Sequence, residues 1–255
     1  MNNPKIKTPR LAFAKLLLNE SRLALRVPIG LVIGIGLPIL LLVILGIIPG
    51  AREPSSDFGG VSYFFLLYPI LVAVTILTQS INVLPRNLIK YRETGILRRL
   101  SVTPVPPSWL LAAQIVINLA IAVIGIILLT VVGVAALGLA LPKDLPGFLL
   151  AYLLAITSLF AVGLCIAAVI KNEALAQGIG ALLFFALLFF SGLWIPRPLM
   201  PALLLNISNW TPIGASVDAI QSAMQGSFPP LQSILVLTAY TLIFGYLSVR
   251  YFKWE

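Results

Sequence analysis

Residues 109–141 read WLLAAQIVINLAIAVIGIILLTVVGVAALGLAL, without one Asp, Glu, Lys or Arg. A helix rises 1.5 Å per residue, so about 20 apolar residues cross the hydrocarbon of a bilayer. This run exceeds that need, and it is expected to begin as a helix outside the bilayer near Trp109 or to cross with a strong tilt. Apolar segments of near-spanning length or more recur at 28–48, 61–84, 147–170, 174–195 and 231–249. Pro38 and Pro69 lie inside the first two, where kinks are tolerable only if neighbouring helices satisfy the freed carbonyls. The 255-residue chain is 60% hydrophobic and only 10% charged, too little charge to cover a soluble domain of this length. The expected fold class is an all-α membrane protein of six spans.

Charge distribution sets an orientation. Lys5, Lys7, Arg10, Lys15, Arg22 and Arg26 precede the first span, and Arg86, Lys90, Arg92, Arg98 and Arg99 follow the second. Lys171, Arg250 and Lys253 fall on the same side, making fourteen, against Arg52, Lys143 and Arg197 on the other. The positive-inside rule then predicts cytoplasmic termini, consistent with six spans. The net charge of +9 is therefore read as topology rather than as a nucleic-acid surface. With no His and a single Cys165, the usual zinc and thiol chemistries are excluded, and no metal site or catalytic residue is expected. The polar, basic lead of 26 residues is too long for a typical cleaved signal, so the first span is read as retained. No ionisable residue sits at the centre of a span, which argues against an ion-coupled transporter or voltage sensor.

Two polar segments carry the functional expectations. Lys15, Asn19, Arg22 and Arg26 form one stripe of a helix over 10–26, with Phe13, Leu16, Leu17 and Leu23 off it. That pattern suits an interfacial helix, whether a coupling element or a simple anchor. The second connection, Pro85 to Ser108, is longer than a turn needs to be. It places Ile96, Leu97 and Leu100 in a small apolar patch flanked by Arg92, Arg98 and Arg99. Apolar side chains presented outside the bilayer require a partner to bury them, and a soluble protein is the natural candidate.

Within it, Glu93-Thr94-Gly95-Ile96-Leu97-Arg98-Arg99-Leu100-Ser101-Val102-Thr103-Pro104 resembles the acidic–x–Gly–x–Leu–x–x–Leu–x–x–Thr–Pro signature of ABC-2 type permeases, the membrane subunits of one class of ABC exporter. The resemblance implies a coupling helix that docks on a separate ATP-binding subunit, with Glu93, Gly95, Leu97, Arg98 and Leu100 in contact. It also implies that the N-terminal arm is the connecting helix beside it. Ser191-Gly192-Leu193-Trp194-Ile195-Pro196, Leu199-Met200-Pro201 and Ile207 to Ile213 are similar to a further series of the same family, which implies re-entrant helices between spans five and six. The Pro-rich but apolar composition of 196–228 independently favours short buried helices over a solvated loop. Between Asp218 and Gln225 the chain lacks an Arg that many members carry. The implied organisation is one ABC-2 type transmembrane domain over 1–255, with a cytoplasmic arm at 1–27, a core at 28–255 and a coupling loop at 85–108.

In span two, Thr75, Thr78, Gln79 and Asn82 share one helical face. Amides are costly against lipid, so this face is expected to look inward, lining a substrate path or bonding between helices. Gly30 and Gly34 form a GxxxG pair in span one, compatible with a close helix contact or a subunit seam. No phosphate loop, GxSxG or HExxH occurs, so the chain is not expected to be an enzyme, and ATP and Mg would be bound by the partner ATPase. The resemblance implies a plasma-membrane exporter working with a second permease copy and surrounding lipid. Its nearest members are drug and antibiotic efflux systems, as in multidrug resistance, which implies a hydrophobic or amphipathic substrate. Export of polysaccharide or lipid-linked polymer, a non-transporting scaffold or sensor, and an ATP-independent uniporter or channel remain alternatives.

Overall fold

The computed structural model describes residues 9–26, 29–48, 50–96 and 106–252, and these are helical apart from turns and one isolated bridge between Pro54 and Ser62. We name the helices α1 (Pro9–Arg26), α2 (29–47), α3 (Tyr63–Glu93), α4 (Pro107–Leu137), α5 (Leu145–Val169), α6 (Glu173–Phe190), α7 (Ala202–Trp210), α8 (Pro212–Gln225) and α9 (Leu231–Tyr251). Among the described residues, five helices (α3, α4, α5, α6 and α9) are long and apolar enough to cross a membrane. The apolar stretch Val32–Ile47 of α2 is shorter than these.

Local chemistry explains where the helices begin and end. Asp144 accepts from the Gly147 N–H at 3.1 Å to start α5, and Asn172 accepts from the Leu175 N–H at 3.0 Å to start α6. Helix α4 stops at Leu137, four residues before the apolar run does. Gly138 takes the left-handed conformation (φ 69°), and its N–H and that of Leu139 return to the Val134 and Gly133 carbonyls. At 31 residues α4 is roughly 46 Å long, more than a bilayer core requires. Near its start Trp109 packs edge-on against Phe13 of α1 at 5.8 Å.

Helix α3 is the axis of the bundle. Its core is almost wholly buried, with Leu67, Tyr68, Leu71, Ile76, Leu77, Leu84 and Ile89 inaccessible, and it packs on α2, α4, α5, α6 and α8. The sequence reading ended span two at 84 and began a loop at Pro85; the helix instead runs through that proline to Glu93. A π-helical segment at Thr78–Val83 makes this possible. Pro85 has no N–H to return to Ile81 and its ring crowds that carbonyl, so the preceding turn widens. The same device occurs in α2, where Val32–Gly36 is π-helical just before Leu37-Pro38. Glycines on neighbouring helices accept the widened turn of α3: a Cβ on Gly163 would collide with the Ser80 carbonyl, and one on Gly180 would sit 3.3 Å from the Ile81 carbonyl.

Polarity is distributed inside-out relative to a soluble protein. Thr75, Thr78, Gln79, Gln114, Asn118, Ser158 and Ser216 are buried, while Val123, Ile127, Val131, Leu182, Phe185, Leu235 and Leu242 are exposed. Apolar side chains on that scale outside a bundle are at home only against lipid or another apolar chain.

Candidate functional site

The last three turns of α3 form a junction. Leu88 and Ile89 anchor them in the core, and Arg86, Asn87, Tyr91, Arg92 and Glu93 around those two reach α1, α4, α5 and α6. Arg86 Nε lies 3.0 Å from Glu173 Oε1 at the start of α6, in an ion pair whose arginine is largely exposed. The Arg92 guanidinium donates to the Ala167 and Ile170 carbonyls at the end of α5 (3.1 and 3.3 Å), and its Cζ stands 5.0 Å from the Phe252 ring centroid. Glu93 Oε1 accepts the backbone N–H of Glu173 at 2.9 Å.

On the other side, Tyr91 donates its hydroxyl proton to Glu20 Oε2, and Gln114 Nε2 donates to the same oxygen, both at 2.5 Å. Asn87 Nδ2 donates to Gln114 Oε1 at 3.3 Å. Glu20 is only 8% exposed, so its carboxylate depends on these donors, and they lash α1, α3 and α4 together. The N-terminal helix matches expectation in exposing Lys15, Asn19, Arg22 and Arg26. It also buries an acid that the stripe did not suggest.

Helix α3 then ends in a turn. The Thr94 N–H returns to the Lys90 carbonyl and the Gly95 N–H to that of Arg92, with Gly95 at φ 68°, a conformation that costs glycine little. Of the proposed docking residues, Glu93 and Gly95 therefore form the helix end itself. Leu97, Arg98 and Leu100 lie outside the described residues.

The polar face of span two divides. Thr75 and Thr78 are buried, and their hydroxyls donate to the Leu71 and Val74 carbonyls of their own helix, both at 2.8 Å. Gln79 is inaccessible, and its amide lies so close to Gly34 that any side chain there would collide with it. Gly34 of the GxxxG pair thus serves a contact within one chain. Asn82 is part-exposed and lines a cavity of about 300 Å³ with Ile81, Arg86, Ala176, Gln177 and Ala181, between α3 and α6.

At the opposite end of the bundle a second polar cluster ties α7 and α8 down. Arg197, in the 3₁₀ turn Arg197–Leu199, is 8% exposed and donates to Ser208 Oγ (3.0 Å), Asn209 Oδ1 (2.6 Å), the Gly214 carbonyl (3.3 Å) and Asp218 Oδ1 (3.3 Å). Ser233 of α9 donates to the other Asp218 oxygen at 2.7 Å, and Ser208 donates to the Phe190 carbonyl at the end of α6, also at 2.7 Å. Burial lowers the guanidinium pKa from its ordinary value, and the Asp218 carboxylate opposes that shift. Residues 196–230 are accordingly two short helices pinned to a charged centre.

With this geometry in place, comparison with known proteins decides the class. The family model described as ABC-2 type transporter matches residues 12–225, most of the chain and all of the junction apart from Phe252. The chain belongs to the ABC-2 type transporter family. A curated protein of Bacillus subtilis (strain 168) named "Putative transport permease YvfS" is 27% identical over 179 residues, 70% of this chain and 73% of that protein. As an ABC-2 permease, the chain is a multi-pass membrane protein of an ABC transporter, and its family implies partnership with an ABC ATPase.

Several of this permease's site residues escaped the sequence reading. Arg86 counted only as topological charge and Arg92 as that and as a flank of the apolar patch, while Glu20, Tyr91 and Glu173 gave no signal, because their partners stand 71 to 87 positions away. Gln114 was accessible to the argument used on span two: an amide inside an apolar run must point inward. Arg197 was assigned only to the sparsely charged side.

Proposed function

We propose that this ABC-2 permease forms half of the membrane pathway of an ATP-driven exporter for a hydrophobic or amphipathic substrate of drug or antibiotic type. The observation that carries the reading is the end of α3. There the contiguous family signature begins at Glu93 and Gly95, on a helix end bonded to α1, α4, α5 and α6. In this reading α2 is the first of six spans, and the basic end, with both termini, faces the cytoplasm of a plasma-membrane protein. The segment after Gly95 is a coupling helix, with Glu93, Gly95, Leu97, Arg98 and Leu100 contacting the ATPase and α1 as the connecting helix beside it. Helices α7 and α8 are the re-entrant pair of the outer side.

The permease itself carries no catalytic residue; ATP and Mg belong to the partner. A second permease copy completes the pathway. The cavity beside Asn82, Gln177 and Ala181 is its cytoplasmic approach, whereas Thr75, Thr78 and Gln79 shape the wall from within. ATP binding closes the ATPase pair, draws the coupling segments together and switches the side to which the pathway opens.

The test is co-purification. Leu97→Asp combined with Leu100→Asp is expected to abolish recovery of the ATPase with the permease and to stop ATP-dependent export from vesicles. Retained recovery and export would overturn the docking assignment. Flux that persists without ATP would point to a uniporter instead.

A further inference from the structure

The 170–172 connection between α5 and α6 is three residues long, and it is held from outside by consecutive residues of another helix. Arg92 supplies a cation to the Ala167 carbonyl in the last turn of α5 and to that of Ile170 just beyond it, and Glu93 supplies an anion to the first N–H of α6, at Glu173. These signs match the two helix termini: unpaired carbonyls and negative dipole end on α5, unpaired N–H groups and positive end on α6. Asn172 already caps α6 at the Leu175 N–H, so the contribution of Glu93 is additional to an ordinary local cap. Arg86 repeats the attachment one face along, through Glu173 Oε1, which also accepts from Gln177 Nε2 at 3.2 Å.

Immediately beyond Glu93 comes the Thr94-Gly95 turn and the segment assigned to ATPase docking. We infer that Arg92, with the Glu173 N–H held by Glu93, is a positioning clamp that makes the α5–α6 turn move with the docking segment. The stroke of the ATPase thereby reaches α6, and the cavity wall at Gln177 and Ala181, directly rather than only through the covalent path along α3 and α4. This deepens the exporter reading and rests on it. Each clamp bond is a partly exposed contact to a helix terminus, typically a modest contributor to folding. Its effect should appear in how motion is shared more than in stability.

Arg92→Ala with Glu173→Pro removes the clamp while leaving Glu93 in place. Proline is tolerated in the first turn of a helix and lacks the N–H that Glu93 receives. Asn172, at φ −108° and ψ 128°, already has the conformation a following proline demands. In a Cys165→Ala background, a nitroxide is placed at Ala181→Cys on the cavity wall or, separately, at Val116→Cys on the exposed face of α4. Each permease is reconstituted with its ATPase, and spectra are compared with and without ATP plus vanadate.

In the unmodified complex both labels are expected to respond. In the double variant the response at 181 should fall at least threefold, while that at 116 and basal ATP hydrolysis stay within about twofold. Arg92→Lys with Glu173→Gln, which keeps a cation and the N–H, should retain most of the 181 response. Should the double variant fail to assemble, Glu173→Pro alone is expected to reduce the 181 response about twofold. An undiminished 181 response in the clamp-deficient protein, or loss at 181 and 116 together, overturns the clamp and leaves the exporter reading standing. Absence of any nucleotide response in the unmodified complex overturns both.

Discussion

Each end of this permease holds an arginine against the ends of other helices, under opposite conditions. Arg197 is enclosed, with four acceptors around its guanidinium and a carboxylate among them. Among the described residues Arg92 meets two backbone carbonyls and an aromatic face, at a rim where Arg86 remains open to solvent and Glu173 partly so. A buried charge that loses its partners leaves an uncompensated group in a low-dielectric interior, whereas a rim contact that breaks is replaced by water. The Arg197 cluster is therefore a lock and the junction on α3 a linkage. In the exporter proposed above, with its drive entering at one end, that asymmetry would let the driven end rearrange without unfolding while the far end stays assembled.

That contrast predicts a ranking of costs. Arg197→Ala should be the most damaging, at about 3 kcal/mol, because Asp218 and three further acceptors lose their donor. Thermal unfolding of the detergent-solubilised permease should show it. Asp218→Asn should cost clearly less, since Ser208, Asn209 and the Gly214 carbonyl still receive the guanidinium. Glu20→Ala comes next, at about 1–2 kcal/mol, from stranding the Tyr91 hydroxyl and the Gln114 amide, and Glu20→Gln should recover most of that by keeping an acceptor. Arg86→Gln should be smallest, below about 0.5 kcal/mol, and the unmodified contribution should vanish in 0.5 M salt, where exposed pairs are screened. If Arg86→Gln proved as costly as Arg197→Ala, the distinction between linkage and lock would collapse.

The five long apolar helices were legible because their signal is local: an uninterrupted apolar run is read within about twenty residues. Gly95 was legible as part of a motif, and its left-handed φ supplies the physical reason for glycine there. The end of span two was not legible. Pro85 reads locally as a stop, and whether a helix continues through it depends on neighbours accommodating a widened turn, which here falls to Gly163 and Gly180. The inward turn of Thr75, Thr78 and Gln79 followed from the cost of polar groups against lipid. That Asn82 alone of the four reaches the cavity depended on where α6 lies.

By itself, the amino-acid sequence determined that this chain is a helical membrane protein, which end carries the cations, and that a family signature begins at Glu93. Those properties follow from composition and short-range spacing, which no packing arrangement can alter. The tertiary structure alone decided which charges are partners: Arg92 with the end of α5, Glu93 with the start of α6, Glu20 with Tyr91 and Gln114, Arg197 with Asp218. Such pairings arise from helices packed side by side. In a bundle whose exterior offers few polar partners, a buried charge is committed to whichever group that packing brings within reach.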